Sequence, residues 1–137
     1  MNNIINLTIP GNPVAKKRSR QGSNRRWYNP QEDIMQIVKR MIKEQLPESF
    51  KLMDSKIPIA CNFIFLFSFP ATLSRKSIEK YNTEVVPCLN KKDIDNLEKF
   101  YMDVMNGIVW YDDNQVYSVH AVKYYSSNPR TEIEVSW

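Results

Sequence analysis

A chain of 137 residues can bury one hydrophobic core without disulfide or metal staples, and its apolar (42%) and charged (25%) fractions are those of a globular domain rather than a disordered one. Cys61 and Cys88 form no metal-ligand spacing, no basic-then-apolar leader opens the chain, and the longest apolar stretch, residues 57–69, is too short to span a bilayer; a cytoplasmic protein with no membrane partner is expected. The net charge of +4 is uneven: residues 1–50 hold nine Lys/Arg against four Asp/Glu, and the remainder ten against eleven.

Ile5, Leu7 and Ile9 alternate with Asn6 and Thr8, which predicts a half-buried strand over residues 4–9. Pro10, Gly11 and Pro13 end it. Residues 11–28 lack periodicity and read as a loop, and six of the eleven residues 16–26 are basic: Lys16, Lys17, Arg18, Arg20, Arg25 and Arg26. Such an arm beside an acidic cluster suits a polyanion bound near a cation site, although charge alone fits a solvated loop equally well. Trp27 and Tyr28 read as anchors of this loop to the core, with stacking on unpaired bases as the alternative.

Asn29-Pro30-Gln31-Glu32 predicts a helix start, with Asn29 as cap, Pro30 in the first position and Glu32 in a capping box. Ile34, Ile37, Val38, Met41 and Ile42 form its apolar stripe, and Pro47 closes it. Residues 57–69 place Ile57, Ile59, Cys61, Phe63, Phe65, Phe67 and Phe69 on one face, as a central strand would. A long polar connection over 70–92 carries a short helix at about 74–81. A second main helix is predicted over 95–105, with Leu97, Tyr101, Val104 and Met105 inward and Asn106-Gly107 as its stop. A short strand at 108–110, a turn at 112–115, a strand at 116–125 and a last strand with Ile133, Val135 and Trp137 inward complete the chain. His120 falls in a strand and is a poor candidate for a general base. The order implies an α/β (α+β) fold: one domain over 1–137, a mixed sheet with two main helices packed on it.

The chemistry concentrates in Asp93-Ile94-Asp95-Asn96-Leu97-Glu98-Lys99. Residues two apart diverge on a helix and share a face on extended chain. Asp93 should therefore lie on extended backbone and Asp95 at the helix entrance, with Ile94 turned into the core. Hard divalent cations take oxygen ligands, so a third carboxylate, Asp112 or Asp113, would have to return from the later turn. Capping offers another use for each: Asp93 or an Asp95/Glu98 box could close the helix, and Asp112-Asp113-Asn114 could be an ordinary turn. Lys99, one turn past Asp95, could pair with it or reach a phosphate.

Residues 91–116, KKDIDNLEKFYMDVMNGIVWYDDNQV, closely resemble the signature of the RusA-type crossover-junction endodeoxyribonucleases, Asp-x-Asp-Asn-Leu-x-Lys followed downstream by Asp-Asp and Gln-Val. Residues 10–20, PGNPVAKKRSR, are similar to a second element of that family, and Tyr28-Asn29-Pro30 stands where it often has Tyr-Thr-Pro. The resemblance implies a RusA-like fold and Asp93, Asp95 and Asp113 as catalytic carboxylates that bind magnesium, which manganese could replace. It implies Lys99 as a further residue needed for cleavage, a homodimer, and a four-way DNA junction as substrate. The choice of Asp113 over Asp112 rests on the resemblance alone. Lys16, Lys17, Arg18, Arg20, Arg25, Arg26, Lys91 and Lys92 are the candidate DNA-binding residues. The sequence departs from the family where many members have Lys-Pro before the first aspartate. Lys91-Lys92 stands there, which loosens the approach to Asp93 and adds a charge. A non-catalytic binder of branched DNA is the rival reading, and a nuclease directed at RNA or flaps a third.

Overall fold

Strand β1 (Ile4–Pro10) buries Ile5, Leu7 and Ile9 and exposes the residues between them, as its two-residue period requires. The computed structural model describes residues 3–24, 26–83 and 85–137, without the side chains of 81–83; Arg25 lies outside the described residues. After β1 come the short strands β2 (Arg20–Gln21) and β3 (Trp27–Tyr28), helix α1 (Glu32–Gln45), β4 (Ile59–Phe67), α2 (Arg75–Thr83), α3 (Ile94–Met105), a 3-10 turn (Asp113–Gln115), β5 (Val116–Tyr125) and β6 (Arg130–Ser136).

The main sheet runs β1-β6-β4-β5, with β6 antiparallel to both neighbours and β4 parallel to β5. Strand β4 is interior, so its aromatic face must be covered. Phe63 and Phe65 pack beneath Leu97, Phe100, Tyr101, Val104 and Met105 of α3, and Met35, Val38 and Ile42 of α1 close the same side. Each fully buried side chain of this size contributes about 1.5–3 kcal/mol. The opposite sheet face is open: Asn6, Thr8, Asn62, His120, Glu132 and Glu134 line a cavity of about 630 Å³ there. The result is a single α+β domain with a mixed sheet and three helices.

Five expectations need correction. In α1, Ile34 and Ile37 are 39% and 46% exposed, and the buried line runs through Gln31, Met35, Val38 and Ile42 instead. The cause is Gln31, whose buried amide accepts from Lys17 N (2.8 Å) and donates to Ala15 O (2.8 Å), turning that edge of the helix inward. The helix also starts later than Asn29 suggested. Gln31 is the N-cap without a side-chain bond, and Asn29 Oδ1 accepts from Gln31 N (2.9 Å) one step earlier.

Residues 108–110 form no strand. Ile108 N and Val109 N both donate to Met105 O (3.1 and 3.0 Å), and Gly107, at φ +76°, closes a tight turn by donating to Trp110 O (2.8 Å). Within residues 11–28, β2 and β3 pair as a short antiparallel hairpin, Arg20 opposite Tyr28. Trp27 (71% exposed) and Tyr28 (48%) stand on it in solvent, so they do not anchor the loop. Its root is anchored by main-chain bonds: Val14 N to the Tyr101 hydroxyl (3.0 Å) and Lys16 N to Asn96 O (2.8 Å).

The buried Tyr101 hydroxyl accepts from both Val14 N and Thr131 Oγ1 (3.0 Å each). Tyr101→Phe would leave two donors without a partner and should cost about 1–3 kcal/mol in urea unfolding, with faster amide exchange at Val14. A loss below about 0.5 kcal/mol, the size of an ordinary surface change, would remove the hydroxyl from the anchoring of the arm.

Candidate active site

Asp93 ends the polar connection on extended backbone (φ −68°, ψ 137°), and Asp95 lies in the first turn of α3, as the divergence of i and i+2 positions on a helix requires. Asp93 occupies the N-cap position, yet its carboxylate makes no capping bond, so helix closure does not consume it. Both aspartates border an open cavity of about 490 Å³ with Cys88, Ile94 and Lys123. Ile94 is a further correction: it is 37% exposed and faces this depression. The first turn of α3 lies beside the edge strand β5, where no core receives it, and inward packing begins at Leu97.

Glu98, one turn along from Asp95, has its carboxyl held above the ordinary range by burial and then by the Asp95 charge. In the sequence Glu98 stands only as half of a possible capping box; its i+3 spacing from Asp95 is the signal that the two acids are neighbours on the helix. Lys99 is exposed and forms no ion pair with Asp95 among the described residues.

At the second acidic segment, the two neighbouring aspartates take different roles. Asp112 caps the 3-10 turn: its Oδ1 accepts from Asn114 N (3.1 Å), and its own N–H donates to Gln115 Oε1 (2.9 Å). Gln115 in turn donates to Asp54 O (2.6 Å) and Ile57 O (3.2 Å), which locks the turn to the chain entering β4. Asp113 has no part in that box. Burial, a hydrogen bond with Asp112 and the charges of Asp103 and Asp112 raise its pKa, against a bond to Asn106 that lowers it. A nearby cation would favour the ionised form of a carboxyl held that way.

These neighbours place Asp113 near the C-terminal end of α3. Asp103 lies eight residues beyond Asp95, about 12 Å along a helix. Among the described residues no three His, Cys, Asp or Glu side chains gather closely enough to hold a metal ion. Asp93 and Asp95 thus border one depression, whereas Asp113 lies beside Asp103 and Asn106. The oxygen donors suit a hard cation such as magnesium, but within one chain the three-carboxylate set is incomplete.

Of the basic residues, Lys16 Nζ pairs with Asp103 Oδ2 at 3.0 Å. Lys17, Arg18, Arg20 and Arg26 are exposed around the hairpin, and Lys91 and Lys92 are exposed just before Asp93. His120 lines the open sheet face, away from the depression at Asp93. Among the described residues no helix is long and apolar enough to cross a membrane.

An acidic helix start and an acidic turn, with a basic hairpin rooted between them, have the groups that a phosphodiester-cleaving protein uses. The family model described as endodeoxyribonuclease RusA matches residues 10–136, and the chain belongs to that family of nucleases. It is also similar to the uncharacterized protein YqaN of Bacillus subtilis (strain 168), at 28% identity over 139 residues that take in 96% of this chain and 94% of that one.

The raised pKa of Asp113 has a sign that can be checked. A carboxyl that is harder to ionise folded than unfolded favours the fold at low pH, and the contribution is lost as pH rises from about 4 through its folded value. Asp113→Asn should therefore raise the melting temperature at pH 7 without divalent cations, and the gain should vanish near pH 3.5. Equal gains at both pH values would mean that ionisation of Asp113 carries no cost.

Proposed function

We propose that this protein is a magnesium-dependent endodeoxyribonuclease that resolves four-way DNA junctions as a two-fold homodimer. Its active site would join Asp93 and Asp95 of one copy to the partner's Asp113. The observation that carries this reading is the exposed Asp93/Asp95 pair, left out of helix capping, in a chain of the RusA family. The wide separation along α3 argues for a site shared between copies. A two-fold axis also presents one such site to each of two symmetric strands.

Magnesium held by these carboxylates, or manganese in its place, would neutralise phosphate charge and make water a competent nucleophile at neutral pH. Lys99, free of an ion pair with Asp95, would offset charge developing on the scissile phosphate. Lys17, Arg18, Arg20, Arg25, Arg26, Lys91 and Lys92 would bind backbone phosphates without reading sequence. Lys16 spends its charge on Asp103 and would serve chiefly to hold the arm. Trp27 and Tyr28, exposed among these cations, would stack on unpaired bases at the crossover. DNA resolution of this kind belongs in the cytoplasm.

The rival binder reading treats the acids as caps. Asp112 fits that description and Asp93 does not.

Asp95→Asn and Asp113→Asn should each abolish nicking of a synthetic four-way junction while leaving junction binding within about twofold of the parent, because the charges serve the ion. Mixing the two variants discriminates further. A shared site leaves one intact site per mixed dimer, so single-strand nicking returns; sites built within one chain leave none, and a mixture without activity would refute the sharing. RNA or flap substrates competing as well as the junction would redirect the substrate assignment.

Trp27 is exposed whereas Trp110 is fully buried. Junction binding should therefore quench tryptophan emission in the parent more than duplex binding does, and Trp27→Leu should abolish that difference. Equal quenching by junction and duplex would take Trp27 away from the crossover.

A further inference from the structure

We propose that Lys123 is the positioning residue for Asp93, clamping the chain that delivers this carboxylate to the site. The inference rests on the role given to Asp93 above. Lys123 sits on the edge strand β5 opposite Phe65, on the sheet face that carries the helices, and borders the same depression as Asp93 and Asp95. Its ammonium donates to Lys92 O (2.6 Å), Asn90 Oδ1 (3.0 Å) and Asn90 O (3.4 Å). An ammonium has three N–H donors, and three acceptors occupy them. None remains for a phosphate, so Lys123 acts through the chain it holds.

The carbonyl of Lys92 belongs to the planar peptide unit that contains the nitrogen of Asp93. Holding that oxygen sets the plane from which the Asp93 side chain departs. Asn90 Oδ1 also accepts from Lys92 N (3.2 Å), so Asn90, Lys92 and Lys123 form one closed set of bonds. The main chain of Lys123 holds the segment from its other side, because Cys88 N donates to Lys123 O (3.0 Å). One residue thus grips residues 88–92 by backbone and side chain together.

The clamp also accounts for the departure at Lys91-Lys92. A proline before the first aspartate stiffens the approach by fixing its own φ near −65°. With lysine in that place the stiffness has to come from outside, and Lys123 supplies it.

Charge and position make opposite predictions for removal of Lys123. A cation beside a cation site repels the ion, so losing the charge alone tightens metal binding; losing the clamp weakens it. Lys123→Met and Asn90→Ala, the second of which keeps the charge, are compared in the full-length protein by manganese titration, junction binding, nicking and amide exchange. Both variants should weaken manganese binding and slow nicking by about tenfold, the lower end of the range for supporting residues of metal ligands. Junction affinity should stay within about twofold and its salt dependence unchanged, while exchange over residues 90–94 accelerates.

Manganese bound as tightly as in the parent, or more tightly, overturns the clamp; so does a weaker, less salt-sensitive junction complex, which would mean that Lys123 contacts phosphate. If the parent itself nicks no junction, the nuclease reading fails instead. Amide exchange over residues 90–94 still decides whether Lys123 and Asn90 hold the segment.

Discussion

The fixed length of α3 constrains everything else about the site. Five buried side chains, Leu97, Phe100, Tyr101, Val104 and Met105, press this helix onto the aromatic face of β4, so it cannot shift without opening the core. Its acidic start and Asp103, the neighbour of Asp113 near its other end, are therefore held about 12 Å apart. The 3-10 turn that carries Asp113 is itself pinned by Gln115, which keeps Asp113 beside the far end of the helix. In the proposed shared site, a cation that uses both ends takes one of them from another molecule. On the proposed reading, a two-fold dimer would answer this need and match the symmetry of the junction.

The acidic turn shows why charge counts read from a sequence are a poor guide to roles. Asp112 and Asp113 are adjacent and chemically identical, yet the carboxylate of one caps the turn and the other stands outside the capping box beside like charges. The family pattern alone selected Asp113. The geometry separates the two: Asp112 caps the turn, whereas ionisation of Asp113 is opposed by burial and by its carboxylate neighbours.

Strong periodicity was legible in the sequence. β1, β4, β6 and α3 were identified with their buried faces because two-residue and 3.6-residue patterns report burial directly. Single polar residues that override such patterns were not legible. Gln31 turns α1 enough to expose Ile34 and Ile37, and its partners at Ala15 and Lys17 cannot be inferred from spacing. Trp27, Tyr28 and Ile94 were assigned inward because large apolar side chains usually are, but each sits where no core exists to receive it. At the site, local motifs marked the aspartates, whereas the partnership of Lys123 with Lys92 spans 31 residues and leaves no local trace.

The root of the basic arm couples these parts. Lys16 reaches α3 twice: its backbone N–H donates to Asn96 O beside Asp95, and its side chain pairs with Asp103 near Asp113. The arm is thereby registered against both acidic ends of the helix by one residue. The Lys17–Gln31 and Val14–Tyr101 bonds prevent that root from swinging. On the proposed reading, DNA held by the hairpin would be held by the body that carries the carboxylates, with little slack between the two. A misplacement of about 1 Å between nucleophile and phosphorus costs on the order of a hundredfold in rate. On that reading, the short tether between arm and helix would bear on cleavage alongside the positive charge the arm presents.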